Sequence, residues 1–356
     1  MNSMKKRVRK VTAGILVMAM SLLSLTACAG EKEGTAQEDY VLKIGTQSGS
    51  VCMAPLHVAE DLGYFKEEFE KVGLSYELVE IDVTQMSELV ASGQVDASVG
   101  LSGGMIPQID SGLEVAFTGG VHTGCTKYYV KDDSDIQSLE DLKGKKIGVP
   151  GLNDTSVLQL KRKLFDLGIG VTTDNMEVEL VAYNMTDLPQ ALDNGAIDAA
   201  AMHDPVATSS QKEYGFRKIL DLTEDEKFKE EYCCQTFVTT TAAEEHPEAA
   251  AAYTRAILKA SAYVQAKPEE AAKLQIDNKQ CSGDVKENAA LLASYNYTPS
   301  VSKAKKTFRD ASDELIIMGE LTEGRDLDAF TEEHFKTFED VPDSYVYEED
   351  GTFTEA

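Results

Sequence analysis

Apolar positions in this chain form short strand-like runs that alternate with longer helical segments. The runs "VLKIG" from Val41 and "KKIGVPG" from Lys145 are apolar in their centres and end in turns rich in Gly and small polar residues. Longer segments such as "APLHVAEDLGYFKEEFEKVGL" from Ala54 mix apolar and charged residues as helices do. Alternating strands and helices predict a parallel sheet with helices on both faces, which is an α/β fold.

The same order of elements occurs twice, at an offset of about 102 residues. Each copy predicts a strand, a turn, a helix, a strand, a helix and a short strand. The two copies therefore predict two similar α/β lobes. The matched pairs are "LKIGTQSGS" at Leu42 with "KKIGVPGLN" at Lys145, "YELVEIDVTQMSEL" at Tyr76 with "VELVAYNMTDLPQA" at Val178, and "ASGQVDASVG" at Ala91 with "DNGAIDAAAM" at Asp193.

Two extended segments flank the second copy. The first is "VAFTGGVHTGCTKYYVK" over 115–131, and the second is "CCQTFVTTT" over 233–241, which is rich in β-branched residues. Both are interpreted as crossovers between the lobes. Helices follow them, with Pro247 and Pro268 near two predicted helix starts.

The N-terminus carries an export pattern. Five bases precede an apolar run over 11–25, which is too short for a membrane span of about 20 residues. The run ends in "LTAC", which resembles the lipobox of bacterial lipoproteins, with Cys28 as the lipidated residue. Cleavage near Ala27 or Ala29 by an ordinary signal peptidase is the alternative, in which Cys28 is incidental.

The net charge argues against nucleic acid as a partner. The whole chain has a net charge of −27, and loss of the five bases of the signal leaves −32. No basic patch remains to neutralise phosphates, whereas the acidic balance favours solubility at a cell surface.

The chain also resembles the solute-binding proteins of bacterial ABC importers. "APLHVAEDLGYFKEEFEKVGL", "LVASGQVDASVG" and "LEDLKGKKIGVPG" are similar to marks of the nitrate, sulfonate, taurine and thiamine-pyrimidine-precursor group. The resemblance implies a type II periplasmic-binding-protein-like fold, in which two lobes joined by two crossovers close on a ligand. It also implies a monomeric receptor that docks on an ABC permease with its ATPase.

These features together predict how the chain divides into segments. The expected segments are a signal peptide over 1–27, a lipid-anchored tether over 28–39, a first lobe over 40–124 and 235–345, a second lobe over 125–234, and an acidic tail over 346–356.

Ligand-binding residues are predicted from the position of turns. In open α/β sheets ligands lie beyond the carboxyl ends of the strands, where turns lead into helices. Hydroxyl groups and backbone N–H groups at such turns favour an anionic group, although Lys127 is the one base close to them in sequence. Helix capping is the alternative role for the Ser and Thr residues. The candidates are Ser48, Ser50, Cys52, Ser102, Gly103, His122, Thr123, Cys125, Asn153, Thr155, Ser156, His203 and Asp204.

Cysteines and histidines are expected to converge in the same cleft. Thiolates and imidazoles together suit a thiophilic metal or a metal-bearing ligand. Core filling and a Cys52–Cys125 disulfide are the alternatives. Cys281 lies outside the repeat in a polar loop and is expected to be dispensable. The candidate ligands are Cys52, Cys125, Cys233, Cys234, His122 and His203.

Two functions remain open from the sequence. The first is capture of a small ligand for import, without catalysis and without a resident cofactor. The second is an enzyme, because the same family includes a fungal synthase of the thiamine pyrimidine that has a cysteine-rich run, of which Cys233 and Cys234 are a partial match.

Overall fold

The computed structural model describes residues 40–82 and 85–356. The predicted signal peptide, Cys28 and the tether lie outside the described residues. Within the described ranges, none of the helices has the length and apolar character needed to cross a bilayer.

The described strands and helices follow the predicted alternation. The strands are β1 Val41–Thr46, β2 Ser75–Glu80, β3 Ala97–Leu101, β4 Val115–Thr123, β5 Thr126–Val130, β6 Lys146–Val149, β7 Val171–Thr172, β8 Asn175–Met176, β9 Glu179–Ala182, β10 Ala199–His203, β11 Arg217–Asp221, β12 Tyr232–Thr239, β13 Tyr345–Tyr347 and β14 Phe353–Glu355. The helices are α1 Ala54–Asp61, α2 Tyr64–Val72, α3 Met86–Ala91, α4 Ser102–Asp110, α5 Thr155–Asp166, α6 Leu188–Asp193, α7 Val206–Tyr214, α8 Thr240–Glu245, α9 Pro247–Ala266, α10 Pro268–Asp277, α11 Val285–Ser294, α12 Val301–Ile317 and α13 Leu327–His334.

Two sheets of five strands have the same internal arrangement. The first sheet has the order β2-β1-β3-β12-β4, and the second has the order β9-β6-β10-β5-β11. In each sheet the three strands from one sequence copy are parallel, and the fourth strand is antiparallel to both of its neighbours. In the first sheet the fourth strand is β12, which comes from beyond the second crossover, whereas all five strands of the second sheet lie between the two crossovers.

The repeat extends to individual hydrogen bonds. The Asp96 carboxylate accepts from the backbone N–H of Lys43 at 3.0 Å, and the Asp198 carboxylate accepts from that of Lys146 at 2.8 Å. Asp96 directly precedes β3 and bonds to β1, and Asp198 directly precedes β10 and bonds to β6. Both carboxylates therefore fasten neighbouring strands of their sheets together.

The two crossovers touch each other. The first consists of Gly124 and Cys125 between β4 and β5, and the second covers 222–231 between β11 and β12. Gly124 has a φ of +43°, and a Cβ atom there would lie 2.9 Å from the backbone of Leu222. A side chain at Gly124 would therefore push the two interlobe connections apart.

The boundary near the second crossover differs from the predicted segments. Strand β12 begins at Tyr232, and Cys234 pairs with Leu101 of β3 and His122 of β4. Cys233 and Cys234 thus lie in the first sheet, because backbone pairing with β3 and β4 begins before them. The lobe limits themselves stay a prediction.

The segment from Ala54, predicted as helical, forms two helices. Helix α1 ends at Asp61, and α2 begins at Tyr64 after Gly63, whose φ is +78°. The left-handed backbone at Gly63 ends the first helical run and turns the chain into the second.

The C-terminal helices cover the first sheet. Helix α9 is rich in alanine, and most of its residues are buried against α1, α2 and β4. The C-terminal hairpin of β13 and β14 packs on it, with the rings of Tyr263 and Tyr347 5.0 Å apart.

A buried ion cluster joins α2 to α9. Glu68 is 1% exposed and accepts hydrogen bonds from Arg255 and Lys259, each at 2.6 Å, and from Lys71 at 2.7 Å. Burial opposes ionisation of Glu68, but these three cations outweigh it and lower its pKa to about 2. The Glu68 carboxylate therefore supplies the negative charge that allows the side chains of Arg255 and Lys259 to be buried between the helices.

Replacement of Glu68 with Gln should lower the free energy of unfolding by about 3–5 kcal/mol, because it removes the buried counter-charge of Arg255 and Lys259 and leaves them only the exposed carboxylates of Asp340 and Glu67. Chemical denaturation at neutral pH measures this change. Glu67→Gln is the matched control, since the Glu67 side chain is 50% exposed and its ion pairs should contribute about 1 kcal/mol or less. Equal losses in both variants would contradict a special role for Glu68.

The contribution of Glu68 should also depend on pH. Its pKa in the folded chain, about 2, lies below the ordinary value of 4.5. The stabilisation is therefore complete above the ordinary value and is lost as the pH falls from there towards 2. The difference in unfolding free energy between wild type and Glu68→Gln should shrink over that interval. A constant difference down to pH 2 would refute this assignment.

Candidate functional site

Four of the predicted cysteine and histidine ligands converge at one point. Cys52 lies on the 3-10 turn after β1, His122 near the end of β4, Cys125 in the first crossover and Cys234 near the start of β12. One nitrogen or sulfur atom from each residue lies within 4.8 Å of the other three. We call these four residues the sulfur–imidazole cluster.

The sulfur–imidazole cluster is buried and its thiols are free. Cys52 is 5% exposed, Cys125 is 2% exposed, and His122 and Cys234 are fully buried. All five cysteines of the described chain are free thiols, so the disulfide considered between Cys52 and Cys125 is not formed. Core filling alone would account for the burial of each sulfur, but not for four polarisable ligand atoms at one point.

The hydrogen bonds of His122 leave one ring nitrogen free. Its Nδ1 lies 3.2 Å from the backbone carbonyl oxygen of Thr123, whereas its Nε2 has no hydrogen-bond partner among the described residues. Because a carbonyl oxygen can only accept, Nδ1 carries the proton in the neutral ring and Nε2 presents its lone pair.

Cys233 and His203 lie beside the cluster and have other partners. The Cys233 sulfur is 3.3 Å from the Cys125 sulfur and accepts from Gln159 Nε2 at 3.9 Å. His203 Nδ1 is 3.9 Å from the Cys125 sulfur, and its Nε2 donates to Asp154 at 2.9 Å. His203 contacts the cluster through Cys125, Cys233 contacts it through Cys125 and Cys234, and both residues form a second layer around it.

The thiols share negative charge unequally. For Cys125 the contact with Cys233 works against ionisation, but thiol donors Cys234 and Cys52 outweigh it and lower the pKa of Cys125 to about 6. Hydrogen bonds to Cys125 and Cys233 raise the pKa of Cys234 well above its ordinary value. Hydrogen bonds with Cys125 and Cys234 outweigh burial and lower the pKa of Cys233 well below its ordinary value, so Cys125 and Cys233 are the two thiols whose ionised form the neighbouring groups favour.

His203 is held as a cation. Burial lowers its pKa, but the adjacent Asp154 carboxylate dominates and raises the pKa well above the ordinary value. The pKa of Asp154 is lowered in turn, since His203 outweighs the effect of burial. Asp154 also accepts from the N–H of Ser156 at 2.8 Å and so caps α5.

A second buried ion pair lies where the first-lobe helices meet the second sheet. Lys127 Nζ donates to Asp204 at 2.5 Å, and Tyr295 Oη donates to the same carboxylate oxygen at 2.7 Å. The other carboxylate oxygen accepts from the N–H and hydroxyl of Thr208. Asp204, a predicted ligand residue, therefore has its acceptor sites occupied by the protein.

The N-termini of α4 and α5 face each other across the lobe boundary. A Cβ atom on Gly103 would lie 2.5 Å from the Thr155 hydroxyl, and one on Gly104 would lie 2.7 Å from the carbonyl oxygen of Asn153. The hydroxyl groups of Thr155 and Ser156 are buried and have no hydrogen-bond partner among the described residues. Neither hydroxyl is used for capping, and their contact with a ligand stays a prediction.

The remaining predicted ligand residues differ in their burial and in their hydrogen-bond partners. The Ser102 hydroxyl donates to the carbonyl oxygens of Tyr232 and Cys233, each at 3.1 Å, and does not cap α4. Ser50 Oγ is 3.1 Å from the Cys52 sulfur, whereas Ser48 and Asn153 are exposed. Thr123 is buried and contributes its carbonyl oxygen to His122.

Several residues that shape the site were not predicted from the sequence. His57 accepts from Gln275 Nε2 at Nδ1 and donates from Nε2 to the Gln47 carbonyl oxygen, so it fastens the turn ahead of Cys52. The Tyr295 ring stacks on His122 with ring centroids 5.7 Å apart, and the Tyr297 ring lies at a tilt of 49° to it with centroids 5.1 Å apart. Both tyrosines lie in "SYNYTP", outside the repeat, where no local pattern marks a ligand site.

Comparison with known proteins gives consistent relatives. The family model described as NMT1/THI5 like matches residues 51–271. A putative aliphatic sulfonates-binding protein of Bacillus subtilis is 25% identical over 279 residues, which cover 77% of this chain and 81% of that protein. A 4-amino-5-hydroxymethyl-2-methylpyrimidine phosphate synthase of Aspergillus parasiticus is 28% identical over 249 residues, which cover 65% and 68% of the two chains.

The fold is also found among solved structures. The periplasmic aliphatic sulphonate binding protein SsuA from Escherichia coli matches with a TM-score of 0.65 at 18% identity, covering 83% of this chain and 92% of that one. The predicted periplasmic-binding-protein-like fold is thereby confirmed, and the binding-protein relatives support a solute-binding role. Since the family model matches more than half of the sequence, the chain belongs to the NMT1/THI5-like family.

Proposed function

We propose that this protein is an extracytoplasmic solute-binding lipoprotein that captures a small ligand between its lobes and delivers it to an ABC permease and its ATPase. The export pattern and Cys28 support a location on the outer face of the bacterial cytoplasmic membrane. The net negative charge of the chain fits the same proposal, as does the expectation from the sequence that the protein is a monomer and binds no nucleic acid.

The observation that carries the binding role is the meeting of α4 and α5. Each lobe contributes a helix N-terminus, and the buried hydroxyl groups of Thr155 and Ser156 lack partners there among the described residues. Unpaired buried polar groups cost free energy that a ligand would recover by accepting or donating hydrogen bonds. Helix N-termini favour an anionic group, so alkanesulfonates, taurine and nitrate are the first ligands to screen.

The synthase among the relatives favours an enzyme as the second candidate. Lys127 is the base nearest to the predicted ligand residues in sequence, and its amine is committed to Asp204 at 2.5 Å and Thr208 at 3.2 Å. A committed ammonium group is a poor nucleophile, which favours binding over covalent chemistry. Formation of the pyrimidine phosphate by the purified protein would favour the enzyme.

Replacement of Gly104 with Ala should weaken solute binding by roughly tenfold or more, because the new Cβ atom would overlap the backbone carbonyl of Asn153 and keep the lobes apart. Gly151→Ala is the matched control, since no atom lies within 4 Å of a Cβ at that position. Native mass spectrometry identifies any solute that copurifies, and calorimetry with that solute or with alkanesulfonates measures the affinity.

If Gly104→Ala and Gly151→Ala bind as tightly as wild type, then ligand capture does not use closure at the α4–α5 contact. If wild type retains no solute and binds none of the anions in the screen, the proposed anion-binding role is wrong.

Replacement of Cys28 with Ser should release the protein from the membrane fraction, because the acyl chains that anchor a lipoprotein are attached through that sulfur. Cell fractionation followed by a high-salt wash measures the release. Cys281→Ser is the control, since Cys281 is buried in the folded chain and its replacement should leave anchoring unchanged. Retention of Cys28→Ser on the membrane would contradict the lipobox interpretation.

A further inference from the structure

The geometry of the sulfur–imidazole cluster suits one shared ion. Its four ligand atoms lie within 4.8 Å of one another. Bonds of about 2.3 Å to a tetrahedral ion place ligand atoms about 3.8 Å apart, so side-chain rotation would have to close the widest pair by about 1 Å. An iron–sulfur cluster separates its terminal sulfurs farther than a single ion does, and the compact spacing therefore favours a mononuclear site.

The imidazole of His122 is prepared as a metal ligand. Its Nδ1–H is 3.2 Å from the Thr123 carbonyl oxygen, and Nε2 is buried without a partner among the described residues. A second-layer carbonyl of this kind fixes the tautomer and ring orientation of metal-binding histidines. An unpaired lone pair in a fully buried ring is costly unless a cation or a donor approaches it.

The surroundings exclude water and fix the ligand positions. Tyr297 Oη donates to the carbonyl oxygen of Cys52 at 3.2 Å and so holds the turn that carries this sulfur. Tyr295 and Tyr297 are almost fully buried and pack beside the His122 ring. The dry, polarisable site disfavours hard ions such as Mg²⁺ and Ca²⁺, which require oxygen ligands.

The adjacent residues Cys233 and Cys234 differ in the groups that they contact. Register shifts flank Cys234 where β12 pairs with β4, and such bulges redirect side chains near functional sites. Cys234 belongs to the set of four mutually close ligands, whereas Cys233 contacts Gln159 and Cys125 from outside that set. The sequence could not separate these two residues, but their contacts do.

We propose that Cys52, His122, Cys125 and Cys234 bind one thiophilic metal ion of the class of Zn²⁺ or Cu⁺ at the crossover end of the lobes. Each thiol that binds releases its proton to solvent, and no electron is transferred. Cys125 lies in the first crossover, and Cys234 lies close to the end of the second. The bound ion therefore fastens both interlobe connections to the turn after β1 that carries Cys52. The site goes beyond the transport proposal and would exist whether or not a permease accepts the protein.

The test is a titration of the mature chain, reduced and handled without oxygen, with Co²⁺ as a spectroscopic probe and with Zn²⁺ and Cu⁺. Wild type should bind one equivalent and show the intense thiolate-to-cobalt absorption of a tetrahedral site. Cys52→Ser, Cys125→Ser, Cys234→Ser and His122→Gln should each weaken binding by about 100-fold or more, beyond the effect usual for second-layer residues.

Cys233→Ser and Cys281→Ser are the matched controls. Both remove a buried thiol, and both should retain one equivalent of metal because neither belongs to the cluster. Equal loss in Cys233→Ser and Cys234→Ser would overturn the assigned ligand set. Failure of wild type to bind any of the three ions would overturn the site while leaving anion capture to be judged by its own calorimetry.

X-ray absorption of zinc-loaded wild type tests the site without relying on variants that could misfold. The expected first shell is three sulfur atoms at about 2.3 Å and one nitrogen at about 2.0 Å. A shell with one sulfur or none would overturn the proposal. So would a native protein without metal whose thiol titration shows Cys125 and Cys233 joined as a disulfide, since their sulfurs are 3.3 Å apart when reduced.

Discussion

The double crossing of the chain between its two sheets is the constraint on which the rest of the structure depends. All five strands of the second sheet lie between the two crossovers, whereas the first sheet is completed by β12 from beyond the second crossover, so the chain has to leave the first sheet and return to it. Only Gly124 and Cys125 separate β4 from β5, and a Cβ atom on Gly124 would meet the backbone of the other crossover. The two connections must therefore run side by side.

This constraint also creates the site. It places His122 and Cys125 at the two ends of a very short connection, and it inserts Cys234 between β3 and β4 beside them. Cys52 joins from the turn after β1, which His57 and Gln275 hold in place. The same boundary contains two buried ion pairs: His203 pairs with Asp154, and Lys127 pairs with Asp204. Burial of these groups is tolerable because each has a counter-charge and further hydrogen bonds.

Local and repeated patterns were enough to predict the architecture. The strand–turn–helix alternation, the repeat at about 102 residues and the two extended segments indicated two α/β lobes with two crossovers, because the periodicity of apolar residues directly reflects secondary structure. The rule that ligands lie beyond strand ends also selected Thr155, Ser156 and Cys52 without knowledge of the fold, whereas Cys125 was selected by its place on the first crossover. The break at Gly63 was missed, since a single glycine inside a helical pattern does not by itself state whether the helix ends there.

The sequence by itself determined the secondary-structure elements, their order, the excess of acidic residues and the candidate ligand residues at strand ends. The charge follows from the composition, and the other properties follow from patterns of residues close together in the chain. The tertiary structure alone decided which candidates meet. It joined Cys52, His122, Cys125 and Cys234, placed Cys233 and His203 in a second layer, satisfied Asp204 with Lys127 and Tyr295, and brought in two tyrosines from outside the repeat. Those outcomes depend on contacts between residues far apart in sequence. Their geometry is set by the return of β12 to the first sheet and by helix packing, neither of which leaves a periodic signal in the chain.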